Sequence, residues 1–492
     1  MNGLDLVRAT RHAETHDEFE RRVATQADAL RDAFAEDAFD GAFTLGLELE
    51  GIAVDADGRP TPAPEAAFGS VCEHELGRHN AEVNTPPTAF DAGGLDSQIA
   101  ALSECVTSLE GMCEDVDCRF VTDGIWAIPT AVGTRSYLAA TEHDGDATIP
   151  ANMSPKPRFY ALDADITASR PVELDVPGCT RTFPNILVES LGTSMQAHLE
   201  VPTDDFVDYF NAALRVAGPV LALATNAPFL PPDLYDDDVD PATVLGGPSE
   251  LRIHLFEAMN VQEPGKVRFP RDLEEPVDVV DRIVDDRTCA PYLREWLADD
   301  PRHGFQDDHW EFLHKQGTYW RWIRPILAES GPRIEYRPLP AQPTVADVVG
   351  LQALVVGLVH GVVVTDHPVR GLPWTDARNS LYAATRDGLD ADLLWRDRDG
   401  DDTRDPDVLY DELFELARHG LSDRGIHSDR IDELLEPIEA RWHAETTPAS
   451  WKRARTRERL DDDAELHDAI VGAQRDYLDH VDAHDTFADW LD

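Results

Sequence analysis

Four short stretches of this chain set polar or charged side chains two residues apart inside otherwise apolar runs. They are Glu48 with Glu50, Glu82 with Asn84, Gln196 with His198 and Glu200, and Glu335 with Arg337. In a strand, positions i and i+2 face the same way, so each set points to one side of a sheet. Any one of them reads equally well as a solvated face. Together they would line a single face with carboxylates, an imidazole and an arginine. Such surroundings suit hard divalent cations, which take oxygen ligands and often bridge substrate phosphates. An arginine beside them offers a fork for a phosphate that the cations also hold. The chemistry implied is phosphoryl transfer from a nucleotide. Neither a GxxxxGK run followed by Ser or Thr nor a GxGxxG after a strand is present, so that nucleotide would use neither a P-loop nor a Rossmann crevice.

These residues need strands to carry them and helices to back the strands. Apolar positions at helical spacing (Phe19, Val23, Ala27, Leu30, Phe34) predict an amphipathic helix over 12–38. AFTLGLELEGIAV reads as a strand that ends in a DADG turn and an edge segment. A second strand covers Asn80–Asn84 and stops at Pro86-Pro87, and 95–112 is helical by pattern. The stretch 123–150, punctuated by Gly, Thr and Pro, reads as loop. SMQAHLEVP is an alternating strand over 194–201, followed by a helix from 204 to about 224 and another over 249–259. RIEYRPLP is a further strand. The apolar run Val345–Val364, broken by Asp347, Gln352 and His360, reads as a core helix rather than a membrane span. From about Leu389 the composition shifts to short charged helices without a strand signal. This divides the chain into an N-terminal helix (1–38), a catalytic domain (39–388) and a helical C-terminal region (389–492) packing on the core.

The chain has 492 residues and a net charge of −52, with 42% hydrophobic residues. That apolar content supports a large packed core. The charge excludes nucleic-acid binding through a basic patch and disfavours anionic membranes. Only four lysines occur (Lys156, Lys266, Lys315, Lys452). Dense carboxylates with almost no lysine suit a salt-loaded cytoplasm, where concentrated ions screen the repulsion. Six cysteines make no disulfide framework, and the charged N-terminus is no signal peptide. The expectation is a soluble, cytoplasmic, halophilic protein whose partners are small molecules, with self-association left open.

The same residues carry a family resemblance. LGLELE (45–50) resembles the GxExE opening strand of the family-2 glutamate–cysteine ligases and carboxylate–amine ligases. ELGRHNAEVNTPP (75–87) resembles their second signature, an acid seven residues before an E-x-N-T-P-P run. SMQAHLEVP is similar to their histidine strand, LALATNAPFL to their ANSPF helix end, and LRIHLFEAMN to an arginine-led helix. GTYWRWIRP followed by RIEYRPLPAQPT resembles the closing E-x-R strand and its lead-in. The matches keep family order over roughly residues 40–365. Two departures stand out. Gln196-x-His198 occupies the place of an H-x-H pair, and the Trp-Arg-Trp lead-in and helical tail suggest a longer subgroup.

The resemblance implies an α+β, glutamine-synthetase-like fold, an antiparallel sheet whose concave face holds the site and whose other side is covered by helices. It implies an ATP- and Mg²⁺- (or Mn²⁺-) dependent ligase that forms an amide through an acyl phosphate, most simply glutamate–cysteine ligase. It assigns metal binding to Glu48, Glu50, Glu75, Glu82, His198 and Glu335. Arg337 would meet the γ-phosphate and act with Glu335 in catalysis. Arg252 and Arg324 would take phosphate or substrate carboxylate, and Asn84 and Thr85 would line the amino-acid pocket. Structural alternatives remain for each: Glu50 as the outward end of its strand, His198 as a core histidine, Arg337 as a partner of Glu335. Arg324 could equally be surface, and Trp320 and Trp322 core. A metal-dependent hydrolase on the same face, or a non-catalytic nucleotide-binding relative, are the competing functions.

Overall fold

Leu45, Leu47 and Leu49 point to one side of the run Thr44–Val54 and are buried, while Glu48 and Glu50 point to the other. This long strand is the middle of an eight-stranded antiparallel sheet in a computed structural model that describes residues 3–144, 147–296 and 304–491. Across the sheet the order is Ile323–Ala328, Gly331–Tyr336, Met195–Glu200, Thr44–Val54, Asn80–Asn84 and Glu73–His74. Two short strands, Thr88–Ala89 and Arg119–Val121, pair with the two ends of the long one. Pro325 lies in the outermost strand, the one place where a residue without an N–H costs no ladder bond.

The leucine face is covered by helices, chief among them Val345–Val364 and Ala92–Glu114. Val345–Val364 is apolar on all sides, and the polar residues within it each have a buried partner. Asp347 accepts from Arg441 at 2.7 Å, Gln352 donates to the Gly46 carbonyl at 3.0 Å, and His360 lies between the Tyr209 hydroxyl (2.7 Å) and Asp423 (2.8 Å). This helix and Thr203–Ala224 are both long and apolar enough to cross a membrane, but 89% and 83% of them is buried inside the fold.

Several expected elements form close to where the pattern puts them: Ala13–Ala35, Asn80–Asn84, Ala92–Glu114, Met195–Glu200, Phe206–Ala224, Leu251–Ala258 and Val345–Val364. Two regions differ. The stretch 123–150 carries a helix, Thr134–Ala139, and a hairpin of Thr141–Asp144 with Ala147–Pro150, whose turn at 145–146 lies outside the described residues. A distant carboxylate, Asp233, accepts the Thr134 amide at 2.6 Å, a contact no local pattern contains. The region after 388 includes a small hairpin, Trp395–Arg396 with Asp402–Thr403, and its helices run to 14–18 residues. Burial of Trp395 against Glu412 holds that hairpin.

The C-terminal helices share the main core. Pro406–Asp423 crosses Val345–Val364 so closely that a Cβ on Gly420 would stand 2.0 Å from the Gly357 carbonyl oxygen; only glycine permits that approach. Lys452, in the helix Pro448–Asp461, forms a buried ion pair with Asp123 and donates to the Asn226 carbonyl at 2.9 Å. Gln474 donates to the other Asp123 oxygen at 2.8 Å. Removing one member of such a pair leaves a buried charge uncompensated, which costs about 3–5 kcal/mol. Lys452→Met is therefore expected to lower unfolding free energy by about that amount in a denaturant titration, whereas Arg455→Met, whose salt bridge to Glu458 is exposed, should change it by less than ~1 kcal/mol.

Candidate functional site

Strand register brings the charged pairs together. His198 lies opposite Gly46 on one side and Glu335 on the other, and Glu335 lies opposite Arg324. One pleat further along, Glu48 sits between Gln196 and Asn84, and then Glu50 faces Glu82. Because these positions are even-numbered steps along their strands, all project from the same face. Gly46 leaves room for the imidazole: a Cβ there would stand 3.3 Å from that of His198.

The six residues expected to bind metal separate into two groups. Donor atoms of Glu48, His198 and Glu335 lie within 4.8 Å of one another, and so do those of Glu50, Glu75 and Glu82. His198 Nε2 is 3.2 Å from Glu48 Oε1 without the alignment of a hydrogen bond, so the buried nitrogen makes no hydrogen bond among the described residues. Burial pushes the Glu82 carboxyl up to about 8, with Glu48 and Glu50 adding to the effect. Burial, followed by Glu82 and Glu50, drives Glu75 well above its ordinary value. Glu50 is raised too, by burial first, although Arg337, the Ser194 amide and Arg252 oppose the shift. Carboxylates gathered this closely away from water favour either protonation or a bound cation. Oxygen donors with a single imidazole fit a hard divalent ion.

Arginines order the other side of this face. Arg324 forks onto Glu335, with Nη2 donating to Oε1 at 2.8 Å, and Arg337 donates to the same oxygen at 3.0 Å. Burial alone would raise Glu335, but Arg324, Arg337 and His198 together hold its carboxyl far below the usual range. Arg337 also donates to Gln196 Oε1, while Gln196 Nε2 donates to Glu50 at 3.0 Å. The glutamine found in place of a second histidine thus links the phosphate-clamp candidate to a metal-ligand candidate. Arg252 is fully buried, donates to Ser194 Oγ (3.0 Å) and to the Pro338 carbonyl, and stacks near Phe256 and Trp322. Ser194 in turn gives its amide to Glu50 at 2.7 Å. Arg252 and Arg324 are therefore committed to protein partners, Arg252 positioning the strand that holds Glu50 and Arg324 holding Glu335.

Two cavities flank this face. One of about 1300 Å³ borders Glu48, His198, Asn84, Thr85 and Arg333, with Tyr292, Trp310 and His314 on its wall. Thr85 has already spent its hydroxyl, which donates to Gln98 at 2.6 Å and accepts the Leu47 amide at 2.9 Å. Asn84 donates to Glu82 at 2.9 Å. The other cavity, of about 520 Å³, borders Glu50, Glu75, Glu82, Glu189, Arg252 and Arg337, with Trp320 and Trp322. Among the described residues, only Glu48, Lys156 and Arg158 line both.

Lys156 and Arg158 were not among the residues picked out by motif. A signal for Lys156 was present in the composition: the other three lysines are buried in ion pairs with Glu20, Asp123 and Asp286, which leaves Lys156 alone exposed. Arg158 reaches the junction by donating to the Gly317 carbonyl at 3.1 Å. Its side chain is exposed and has the like charge of Arg324 nearby, so with Lys156 the junction favours an anion. Glu189 was likewise invisible to strand spacing, whereas Arg333, which donates to His198 Nδ1 at 3.2 Å, stands two residues before Glu335 in the same strand, so that spacing could have found it.

The profile of glutamate-cysteine ligase family 2 (GCS2) matches residues 44–471. No curated protein matches the chain. The glutamate–cysteine ligase of Francisella tularensis, solved in complex with AMP, is similar at 15% identity and a TM-score of 0.51, with 92% of this chain and 91% of that one covered. A bifunctional glutathione synthetase from Pasteurella multocida is similar at 12% identity and a TM-score of 0.49, with 95% of this chain but 55% of that one covered. At such identities the first likeness speaks to the fold, the curled antiparallel sheet with its helical cover and helical C-terminus.

A carboxyl whose folded pKa lies above its unfolded value stabilises fully below the unfolded value, and that stability is lost as pH climbs through the folded one. Glu82 rises from 4.5 to about 8. Metal-free protein in molar KCl should therefore lose thermal stability between about pH 4.5 and 8. Added Mg²⁺ should restore it, with a larger gain at pH 8 than at pH 5.5. Melting curves at both values, with and without Mg²⁺, check this; an equal Mg²⁺ effect at both would remove the carboxylate triad from metal binding.

Proposed function

The chain belongs to glutamate–cysteine ligase family 2 and is an ATP-dependent carbon–nitrogen ligase joining a carboxylate to an amine; from that premise we propose that it joins glutamate to cysteine as γ-glutamylcysteine. The observation that carries this reading is the junction itself. Two triads of metal-type ligands, Arg337 and two cavities meet around Glu48, Lys156 and Arg158. The larger cavity has the volume for a nucleotide and the smaller one the volume for amino acids. AMP in the Francisella ligase supports a nucleotide on this fold.

In the proposed reaction an oxygen of the glutamate side-chain carboxylate attacks the γ-phosphorus of ATP as the bond to ADP breaks. The cysteine nitrogen then bonds to the acyl carbon of the resulting acyl phosphate, phosphate departs and the nitrogen gives up its proton. Mg²⁺ or Mn²⁺ held by Glu48, His198 and Glu335, and by Glu50, Glu75 and Glu82, would supply neutralisation of phosphoryl charge. The chain's own task is positioning. Arg337 already bonds Gln196 and Glu335, so its fork is preorganised where charge accumulates. Lys156 and Arg158 would draw both anions to the junction, and Trp320 and Trp322 would keep water from the acyl phosphate. The acidic, lysine-poor surface fits work in a salt-rich cytoplasm.

ADP release in molar KCl with Mg²⁺, ATP, glutamate and candidate amines tests this reading. ADP is expected only when glutamate and cysteine are both present, with a product of γ-glutamylcysteine mass. Release with another pair would keep the ligase and discard these substrates; release with none would overturn the reading. Arg337→Lys should lower kcat by ~100-fold or more while ATP binding changes little, since a lysine cannot reproduce the fork. Equal losses in both would make Arg337 structural.

A further inference from the structure

Two carboxylates of the smaller cavity belong to neither triad: Glu73, which is exposed, and Glu189, which is half-buried. Glu189 sits in the single-turn segment Ile186–Leu191, which is pinned at both ends. Asn185 accepts the Leu187 amide at 3.0 Å and Asp163 accepts the Ile186 amide at 2.9 Å. At the far end, the Ser190 carbonyl accepts from Asn80 Nδ2 at 3.1 Å and lies 3.2 Å from His79 Nε2. The backbone carrying Glu189 is thus fixed, and its side chain borders the cavity that Glu50, Arg252 and Arg337 also line, with Ile186, Phe256 and Trp322 as its apolar wall. Among the described residues no hydrogen bond or ion pair is made to its carboxylate. Burial raises it to about 8, Glu50 adds to the rise, and Arg337 and Arg252 only partly oppose it. Most acids of this chain face bulk water and salt, whereas this one is half-buried in a cavity with no cation in bonding contact among the described residues, an arrangement that a cationic ligand would complete.

The missing counter-charge has a definable chemistry. A hard divalent ion takes six or more oxygen ligands, and Glu189 stands outside both groups of converging donors, so a single carboxylate suits an ammonium better. It also lines only the smaller cavity and not the junction. The ammonium it meets accordingly lies in the smaller cavity and not at the junction. Resting on the ligase reading above, we propose that Glu189 binds the α-ammonium of the amino acid that donates the carboxylate, and so selects an amino acid over a simple dicarboxylate.

Glutarate, which is glutamate without the ammonium, isolates this contact. Wild-type enzyme should use glutamate with a KM ~10- to 100-fold below that for glutarate, the range of a lost charge-assisted hydrogen bond. Glu189→Gln should raise the glutamate KM by a similar factor and leave the KM values for glutarate and ATP unchanged. Glu189→Asp, with the charge kept on a shorter arm, should fall between the two and guards against a folding defect, as does calorimetric binding of glutamate and glutarate to each variant. Losses that are equal for glutamate and glutarate, or a wild type indifferent to the ammonium, would overturn the assignment while leaving the ligase intact. No ADP release by wild type with any amino acid would overturn both.

Discussion

Mutual repulsion among buried carboxylates is the constraint around which this molecule is built. Glu48, Glu50, Glu75, Glu82 and Glu335 converge on one sheet face, Glu50 and Glu335 buried and the others half-buried, so like charges lie close together. The face divides the problem in two. On the Glu335 side, Arg324 and Arg337 supply the opposing charge directly. On the Glu75 and Glu82 side no arginine among the described residues is in bonding contact, and the carboxyls rise. The asymmetry means that arginines of the chain compensate Glu335, whereas Glu75 and Glu82 have no bonded cation among the described residues.

Holding such a face together requires rigidity behind it, and the polar interior supplies that. Glu50 is reached by a continuous set of buried contacts that begins in the C-terminal helices. Lys452 bonds the Asn226 carbonyl, the Asn226 amide donates to Glu250 at 3.1 Å, and Glu250 lies 3.4 Å from Arg252. Arg252 then bonds Ser194, whose amide holds Glu50. The helical tail thus reaches the strand of Glu50 in two ways, through this set of polar contacts and through Trp451, Val471 and Tyr477 packed with Ile52 and Val54. The same helices close over Val345–Val364 with glycine contacts and with the Arg441–Asp347 pair.

The composition takes on a different meaning once burial is known. Lysine is rare throughout, and three of its four occurrences are interior ion pairs. A residue type withdrawn from the surface persists where a charge is required. Lys156, the exception, is exposed at the meeting of two cavities. Rarity therefore carried information that the abundance of acid obscured, since an acidic residue in a chain of charge −52 is by default a surface one.

Period-two spacing was enough to identify Glu48 with Glu50, Glu82 with Asn84, Gln196 with His198, and Glu335 with Arg337 as shared-face sets, because the direction of a strand side chain is dictated by local geometry. Periodicity likewise located the long helices, Val345–Val364 to its ends, because burying an apolar stripe is a property of the segment. Family order over most of the chain added the fold. What spacing could not contain is anything decided by register between strands: that Glu50 faces Glu82, that His198 lies between Gly46 and Glu335, and that six candidates fall into two triads. Nor could it show that Thr85, Arg252 and Arg324 are already occupied by protein partners, or that Lys156, Arg158 and Glu189 reach the same place from loops and short helical turns. Those residues have no periodicity to betray them. Only long-range packing, which sets distances between segments a hundred or more residues apart, determines where their charges end.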